Sequence, residues 1–498
     1  MDARMISVMA AFALYLGGMI FIGFRTSKKA STAEGFFLGA RSAGPWVTAL
    51  SAEASDMSGW LLMGLPGVAY LGGMKEAFWT AAGLILGTYL NWLFVAKRLR
   101  KYTIHAGNSI TIPEFFTNRF KDKSHLLSLI SVVFIIIFFT IYTASGFVAC
   151  AKLFNSVFGL PYFAALVLGI AVILVYTLLG GYLAVCSTDF VQGTLMFVAL
   201  ILTSVAGCVS LGGPVEAAAK LNALSAGFLN PFSGADGGSF GLMQIISALA
   251  WGLGYFGMPH ILVRFMGLRS NRDTKISRRI AMIWVVAAFA GALLVGAFGR
   301  IYLSPMDLSQ NGAQDAVFIE TIIKMFPGFI AGIFLCAILA AAMSTADSQL
   351  LVAASAFSRD IYTVFLNKEA SEKQQLLMSR ITVLAVAGAA ALIAMDPASS
   401  IFGLVSYAWA GFGATFGPLV LLSLFWKGAT RNGALFGLIA GGVTVIVWKH
   451  LSGGLFDLYE ILPGFLVCFV ITVVVSALDK PANAAVTAEY EAYTKLGD

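Results

Sequence analysis

The sequence predicts an all-α polytopic membrane protein of about thirteen transmembrane helices, with two inverted five-helix repeats at its centre. Three observations carry this. Hydrophobic residues make up 59% of the 498 positions and charged residues 11%, with a mean hydropathy of +0.86; soluble domains carry about 25% charged residues. Apolar runs long enough to cross a bilayer recur along the whole chain. Two of these runs, one holding Ser51-Ala52-Glu53-Ala54-Ser55-Asp56-Met57-Ser58-Gly59-Trp60 and one holding Trp251-Gly252-Leu253-Gly254-Tyr255-Phe256-Gly257-Met258-Pro259-His260, contain the Gly, Ser, Pro and acidic residues that membrane helices avoid.

The spans read from hydropathy are 5–24, 43–70, 76–96, 126–153, 158–180, 189–212, 238–263, 277–303, 328–357, 378–395, 400–426, 432–448 and 458–478. The first lacks a small-residue cleavage site and is followed by Arg25, Lys28 and Lys29, so it reads as a retained span rather than a secretory signal. With the N-terminus outside, 25 of the 32 Lys and Arg residues fall in the cytoplasm and 7 outside. That bias is the positive-inside pattern, and only an odd number of spans preserves it. The formal net charge of +7 is therefore read as inner-face charge, not as a nucleic-acid surface. Gly212–Ser239 reads as a long external loop. The polar residues 479–498 read as a short cytoplasmic tail with no further domain.

The interrupted runs are the second and seventh spans, so each opens a block of five. Five is odd, and the second block must therefore enter the membrane in the opposite sense. The resulting organisation is one transmembrane domain, 1–478, with a first repeat at about 43–212, a second at about 238–426 and accessory helices 5–24, 432–448 and 458–478. Non-helical backbone at membrane depth is tolerated only where protein or a water-filled cavity satisfies it. Paired interruptions of this kind point to the binding site of a secondary transporter. Other classes fit less well. The five cysteines and four histidines form no paired or metal-binding spacing. No nucleophile–base or His-Glu-x-x-His arrangement suggests an enzyme. The tail is too short to hold a kinase that would make the chain a sensor.

The stretch from Ala40 to Leu71, with Ser-Asp-Met-Ser-Gly-Trp-Leu-Leu-Met-Gly-Leu-Pro-Gly, resembles the sodium/solute symporter family. So do Ile141–Gly146, Trp251–His260, Ala337–Thr345 and Leu404–Gly413, and the likeness runs from about Gly17 to Val475. The resemblance implies a LeuT-type fold and sodium-driven uptake of L-proline by alternating access. It also implies sodium as the co-transported ion with no cofactor, and a bacterial inner membrane with the C-terminus cytoplasmic. The expected partners are proline, sodium and lipid, with the monomer as the working unit.

Sodium is a hard cation that takes carbonyl and hydroxyl oxygens. A broken second span frees carbonyls near Ala54 and Met57, and the ninth span offers Ser344 and Thr345 with Ala341 one turn earlier. Family correspondence makes the carbonyls of Ala54, Met57 and Ala341 and the hydroxyls of Ser344 and Thr345 the sodium ligands. Ser and Thr in membrane helices otherwise bond back to the preceding turn or join helices. Asp56 lies at a depth where a charge costs at least about 2.5–3.5 kcal/mol, so a functional role is the default; the family match links it to sodium coupling, and it can also cap the broken helix. Asp189 reads either as an N-cap of the sixth span or, by resemblance, as a contact for sodium on its way in. By resemblance Arg41 tunes coupling at the inner mouth.

Proline presents a carboxylate, a secondary ammonium and a compact apolar ring. Freed N–H groups across Ser55, Ser58, Gly59 and Trp60 are expected to hold the carboxylate. Trp251 and Tyr255, one turn apart, are expected to form an aromatic wall, with Pro259 holding the irregular backbone and Tyr142 beside them. Three positions depart from the family's pattern. Glu53 is either half of a repelled acid pair with Asp56 or a side chain turned to a base. Asp347 either adds an ion or proton contact or faces an inner vestibule. Met258 replaces a polar amide and bears on substrate range.

Overall fold

Hydrocarbon cannot hydrogen-bond to peptide groups, so a chain of this composition must pair its backbone internally. The computed structural model describes residues 2–27, 33–179, 181–304, 306, 308, 312–479 and 484–495, and these are helical almost throughout. Among them there is no strand, only isolated bridges between Ala43 and Leu268 and between Ser233 and Ser239. Lys28, Lys29 and Lys480, counted above as inner-face charge, lie outside the described residues.

Among the described residues ten helices are long and apolar enough to cross a membrane, and a bent pair, Leu242–Phe256 with Pro259–Gly267, makes an eleventh at an angle of 43°. The expected second span is the pair Pro45–Asp56 and Trp60–Gly72, and the expected fifth is Tyr162–Leu179. Each sequence-derived span thus has a helix or a helix pair in its place, and the chain is a multi-pass membrane protein.

The limits differ where polar residues extend a helix beyond its apolar core. The third span runs Met74–His105 and the ninth Gly328–Leu366. The sixth begins at Tyr182, seven residues ahead of Asp189, and there the added residues are mostly apolar, the charge at Asp189 having set the expected limit. Hydropathy marks the apolar core of a helix and misses turns that continue into water. For the same reason the loops hold more structure than their composition suggests. Pro214–Leu224 is a helix within the long Gly212–Ser239 segment, and Ile112–Arg119 follows the third span with Thr111 Oγ1 accepting from Glu114 N at 3.0 Å. The tail is not merely polar chain: Ala484–Lys495 forms a helix, with Tyr493 stacked on Tyr102 at 4.0 Å between ring centroids.

The ninth and eleventh spans (Gly328–Leu366 and Ile401–Phe425) are wrapped by neighbours, with 83% and 89% of their apolar windows buried. Polar side chains on them are therefore screened from lipid. The third and seventh spans cross backbone to backbone. A Cβ on Gly83 would sit 2.5 Å from the Leu249 carbonyl, and one on Gly252 would collide with the Gly83 carbonyl. Small residues at such crossings bring helices together where no hydrophobic force can. Gly252→Val is expected to cost about 1–3 kcal/mol by overpacking, lowering the unfolding temperature in detergent. Gly388→Val, at a position with nothing within 4 Å, should leave that temperature unchanged.

Candidate functional site

The first break begins where Pro45–Asp56 ends. Met57, at φ −81° and ψ 72°, leaves the helix, and a π-turn at Trp60–Gly64 restarts it. The carbonyl of Asp56 is taken by three donors: Tyr142 O–H at 3.1 Å, Trp60 Nε1 at 3.2 Å and Ser58 N at 2.9 Å. In the seventh span, Ala250–Phe256 tightens into a 3-10 helix, and Pro259 opens the next helix after Gly257 and Met258. There the Trp251 carbonyl accepts from Trp409 Nε1 at 2.7 Å and the Tyr255 carbonyl from Asn91 Nδ2 at 2.9 Å. Tyr255 O–H donates to Asp56 Oδ2 at 2.5 Å and ties the two breaks together. Asp56 is fully buried, and its Oδ1 has no partner.

Four of the five expected ion ligands meet. Ser344 Oγ lies 2.8 Å from the Ala54 carbonyl and 3.3 Å from that of Ala341, and Thr345 Oγ1 is 3.4 Å from Ala54 O. All are buried. Met57 closes the helix end with its N–H on the Glu53 carbonyl at 2.8 Å. A convergence of neutral oxygens, with no nitrogen or sulfur among them, suits a hard monovalent cation.

The substrate wall is arranged otherwise than the spacing suggests. In a 3-10 helix residues three apart eclipse, so positions four apart diverge. Trp251 faces Trp60 (6.0 Å), Phe402 (4.9 Å) and Tyr459 (5.3 Å), whereas Tyr255 turns to Asp56 and meets Trp409 edge-on at 5.1 Å. A cavity of about 350 Å³ lies over Trp251 on the side of the Gly212–Ser239 segment, lined by Glu76, Gln244, Phe402, Asp457 and Tyr459. The expected backbone donors are largely taken: Met57 N bonds Glu53 O, Ser58 N bonds Asp56 O, Leu61 N bonds Ser58 O, and Trp60 N bonds Ser58 Oγ at 3.4 Å. Gly59 serves by its lack of a side chain, since a Cβ there would come within 2.8 Å of Ala149 Cβ.

Ser55 points away from that wall. Its hydroxyl is 2.9 Å from Ser348 Oγ and 3.2 Å from Asp189 Oδ2. Asp189 is not a helix cap, because Gly181 holds that position. It is fully buried and pairs with Arg264 at 3.2 Å. Sequence reading placed Arg264 in the cytoplasmic loop. It is instead fully buried in Pro259–Met266, donating to Ser51 Oγ (3.1 Å), Ser348 Oγ (2.5 Å) and the His260 carbonyl (3.0 Å). The apolar residues on both sides of it, Ile261-Leu262-Val263 and Phe265-Met266, were the available signal. Glu53 turns to no base, and its Oε1 accepts from Trp92 Nε1 at 3.2 Å. Asp347 is buried, with Ser348 Oγ 3.3 Å from its Oδ1. Arg41 donates to the carbonyls of Met266 (2.7 Å) and Ser109 (2.9 Å).

Removing one partner of a buried ion pair leaves an uncompensated charge and costs about 3–5 kcal/mol. Arg264→Met should therefore destabilise strongly, and Asp189→Asn in the same chain should recover part of the loss. Thermal unfolding of the two single variants and the double variant checks this, the expectation being a double variant more stable than Arg264→Met alone.

The sequence profile of the sodium:solute symporter family matches residues 36–441. The chain is 48% identical over 481 residues to the sodium/proline symporter of Escherichia coli K12, covering 96% of this chain and 94% of that protein. It is 46% identical over 476 residues to the high-affinity proline transporter PutP of Bacillus subtilis 168, covering 95% and 99%. Among solved structures it resembles a Na+-coupled sialic acid symporter in a substrate-bound, outward-open state, with a TM-score of 0.78, 21% identity and coverage of 96% and 99%. It also resembles MhsT in complex with L-phenylalanine, with a TM-score of 0.52, 17% identity and coverage of 88% and 99%. These structural likenesses bear on the fold, which is LeuT-type. A profile match across most of the chain and identity near one half over nearly its whole length make the chain a member of the sodium:solute symporter family.

Proposed function

We propose that the chain is a sodium-coupled symporter that takes up L-proline across a bacterial inner membrane by alternating access. One observation carries the reading. Neutral oxygens of the broken second span and the ninth span converge at Ala54, Ala341, Ser344 and Thr345, two residues from the Asp56–Tyr255 contact that joins the two breaks. Near-half identity to the E. coli sodium/proline symporter supports the choice of substrate. In this reading Ala54, Met57, Ala341, Ser344 and Thr345 bind sodium. Asp56 and Asp189 serve its coupling and passage inward. Tyr142, Trp251, Tyr255 and Pro259, with the turn from Ser55 to Trp60, shape the substrate site.

The same reading places the N-terminus outside and the C-terminus in the cytoplasm, with the chain working as a monomer in lipid. Its repeats are about 43–212 and 238–426, and one part rocks against the other around the site. One sodium entering down 100 mV supplies about 2.3 kcal/mol, which is roughly 50-fold accumulation before the concentration gradient is added. The deciding experiment is uptake of labelled amino acids by proteoliposomes with and without an inward sodium gradient. Proline uptake indifferent to sodium would overturn the function.

Thr345→Val keeps the side chain's shape and deletes one oxygen, and Ser344→Ala deletes another. Both are expected to raise the sodium concentration for half-maximal uptake at least several-fold, with little loss of folded protein. Sodium activation curves matching the wild type would remove these hydroxyls from the ion site.

Coupling requires each ligand to tighten the other's binding by an equal factor. Tyr255→Ala is expected to weaken proline binding while sodium binding without proline stays near normal. Titrations of each ligand with and without the other measure this, and a proline affinity that ignores sodium would sink the coupled site.

A further inference from the structure

Two side chains just cytoplasmic of the site have hydrogen-bonding capacity that nothing in the protein uses. His260 is fully buried, and neither ring nitrogen makes a well-formed hydrogen bond, the backbone of Ser55 being the polar group within reach of the ring. Gln349 is fully buried, and its Nε2 has no partner either. An unpaired buried donor costs about 1–3 kcal/mol, so two of them together call for an explanation.

Both are held against the same turn of the fourth span, Leu126–Phe158. The His260 ring meets Phe139 and Tyr142 edge-on, at 5.6 and 6.1 Å between centroids. Gln349 Oε1 accepts from Thr143 Oγ1 at 3.0 Å, and Nε2 is the end left without a partner. Arg264 joins the two from behind, one nitrogen on the His260 carbonyl at 3.0 Å and another on Ser348 Oγ at 2.5 Å, next to Gln349. His260 directly follows Pro259 of the proposed site and lies five residues after Tyr255, and Gln349 lies four after Thr345. Both spans run toward the cytoplasm in the proposed orientation, so the donors lie on the way out.

We propose that His260 and Gln349 form an exit station for the substrate's carboxylate. As the inner half opens, a neutral imidazole N–H and the Gln349 amide take the carboxylate that the outer site releases. An amide and an imidazole suit this task because they donate to an anion without the fixed charge that would trap it. Ser51, Ser55 and Ser348 keep the Arg264 guanidinium engaged on Asp189, so it does not compete for the carboxylate. The inference rests on the uptake reading above.

The test separates the two faces of the membrane. Proteoliposomes of wild type, His260→Phe, Gln349→Leu and the near-isosteric Gln349→Glu are assayed for sodium-dependent proline uptake, and separately for efflux against internal proline concentration. The expectation is a rise of at least tenfold in the internal proline concentration for half-maximal efflux in each variant. The external half-saturation concentration should stay within twofold of wild type. Gln349→Glu should show the largest effect, because it sets a like charge against the carboxylate. Internal values equal to wild type, or internal and external values that rise together, would overturn the station. Wild-type vesicles that accumulate no proline would overturn the function on which it rests. Wild-type uptake with unaltered efflux in the variants would overturn the station alone.

Discussion

Everything at the centre of this molecule depends on replacing hydrogen bonds that two broken helices give up at membrane depth. No water reaches that region from the bilayer, so each freed carbonyl must be met by a side chain. The Asp56 carbonyl is met by Tyr142 and Trp60, the Tyr255 carbonyl by Asn91, and the Trp251 carbonyl by Trp409. These donors are large aromatic or amide groups because each must cross from a neighbouring helix, or from the far side of the break, to reach its acceptor. Consequently the groups that hold the breaks open also surround the point where the breaks meet, at the contact of Tyr255 with Asp56.

The second span shows how much one helix end can be asked to do. Ser51 and Ser55, four apart, share a face and turn to Asp189, Arg264 and Ser348. Glu53 and Asp56, three apart, share another, which turns to Trp92 and Tyr255. Ala54 lies between them and presents its carbonyl to Ser344. The small side chains at Ala52, Ala54 and Gly59 let the neighbours approach closely enough for all three faces to be used. The buried Asp189–Arg264 pair is costly in itself; serine hydroxyls bond the guanidinium and Asp189 Oδ2, while Asp189 Oδ1 has no partner. That polar knot ties spans two, six, seven and nine to one another.

Much of this was legible in the sequence, and the misses have physical causes. The spans, their odd number and the two breaks follow from apolar runs and from Gly, Ser and Pro within them, because the bilayer imposes length and composition together. The oxygen cluster was legible through the family resemblance, since a Ser-Thr pair in a membrane helix otherwise bonds back to the preceding turn or joins helices. Arg264 was misplaced because a positive charge near a span end ordinarily marks the aqueous boundary, and only a partner 75 positions away in sequence makes its burial tolerable. A spacing of four means one face only in an α-helix, and because Ala250–Phe256 is a 3-10 helix Trp251 and Tyr255 part, although both rings still meet Trp409. Asp189 was read at a helix start because its charge was taken as the end of the apolar run, although Tyr182-Leu183-Ala184-Val185-Cys186 ahead of it is apolar and helical.

The arrangement also suggests how the two ligands come to depend on one another. In the structure the Ala54 carbonyl is held by the hydroxyls of Ser344 and Thr345, which can also bond to their own preceding turn, as Ser344 does with Ala341. The tie between the second and ninth spans is therefore one that either hydroxyl can give up. A sodium ion among the same oxygens would attract all of them at once and could not be shared away to a single helix. It would fix the end of Pro45–Asp56 against the ninth span. Asp56 is two residues further along that helix end, so its carboxylate, and Tyr255 with it, would be fixed in turn. The substrate site would then be ordered before the substrate arrives, and the ordering would already be accounted for in the free energy of ion binding. On this view the ion acts less through its charge on the substrate than through the three residues of chain, Ala54 to Asp56, that the two sites have in common.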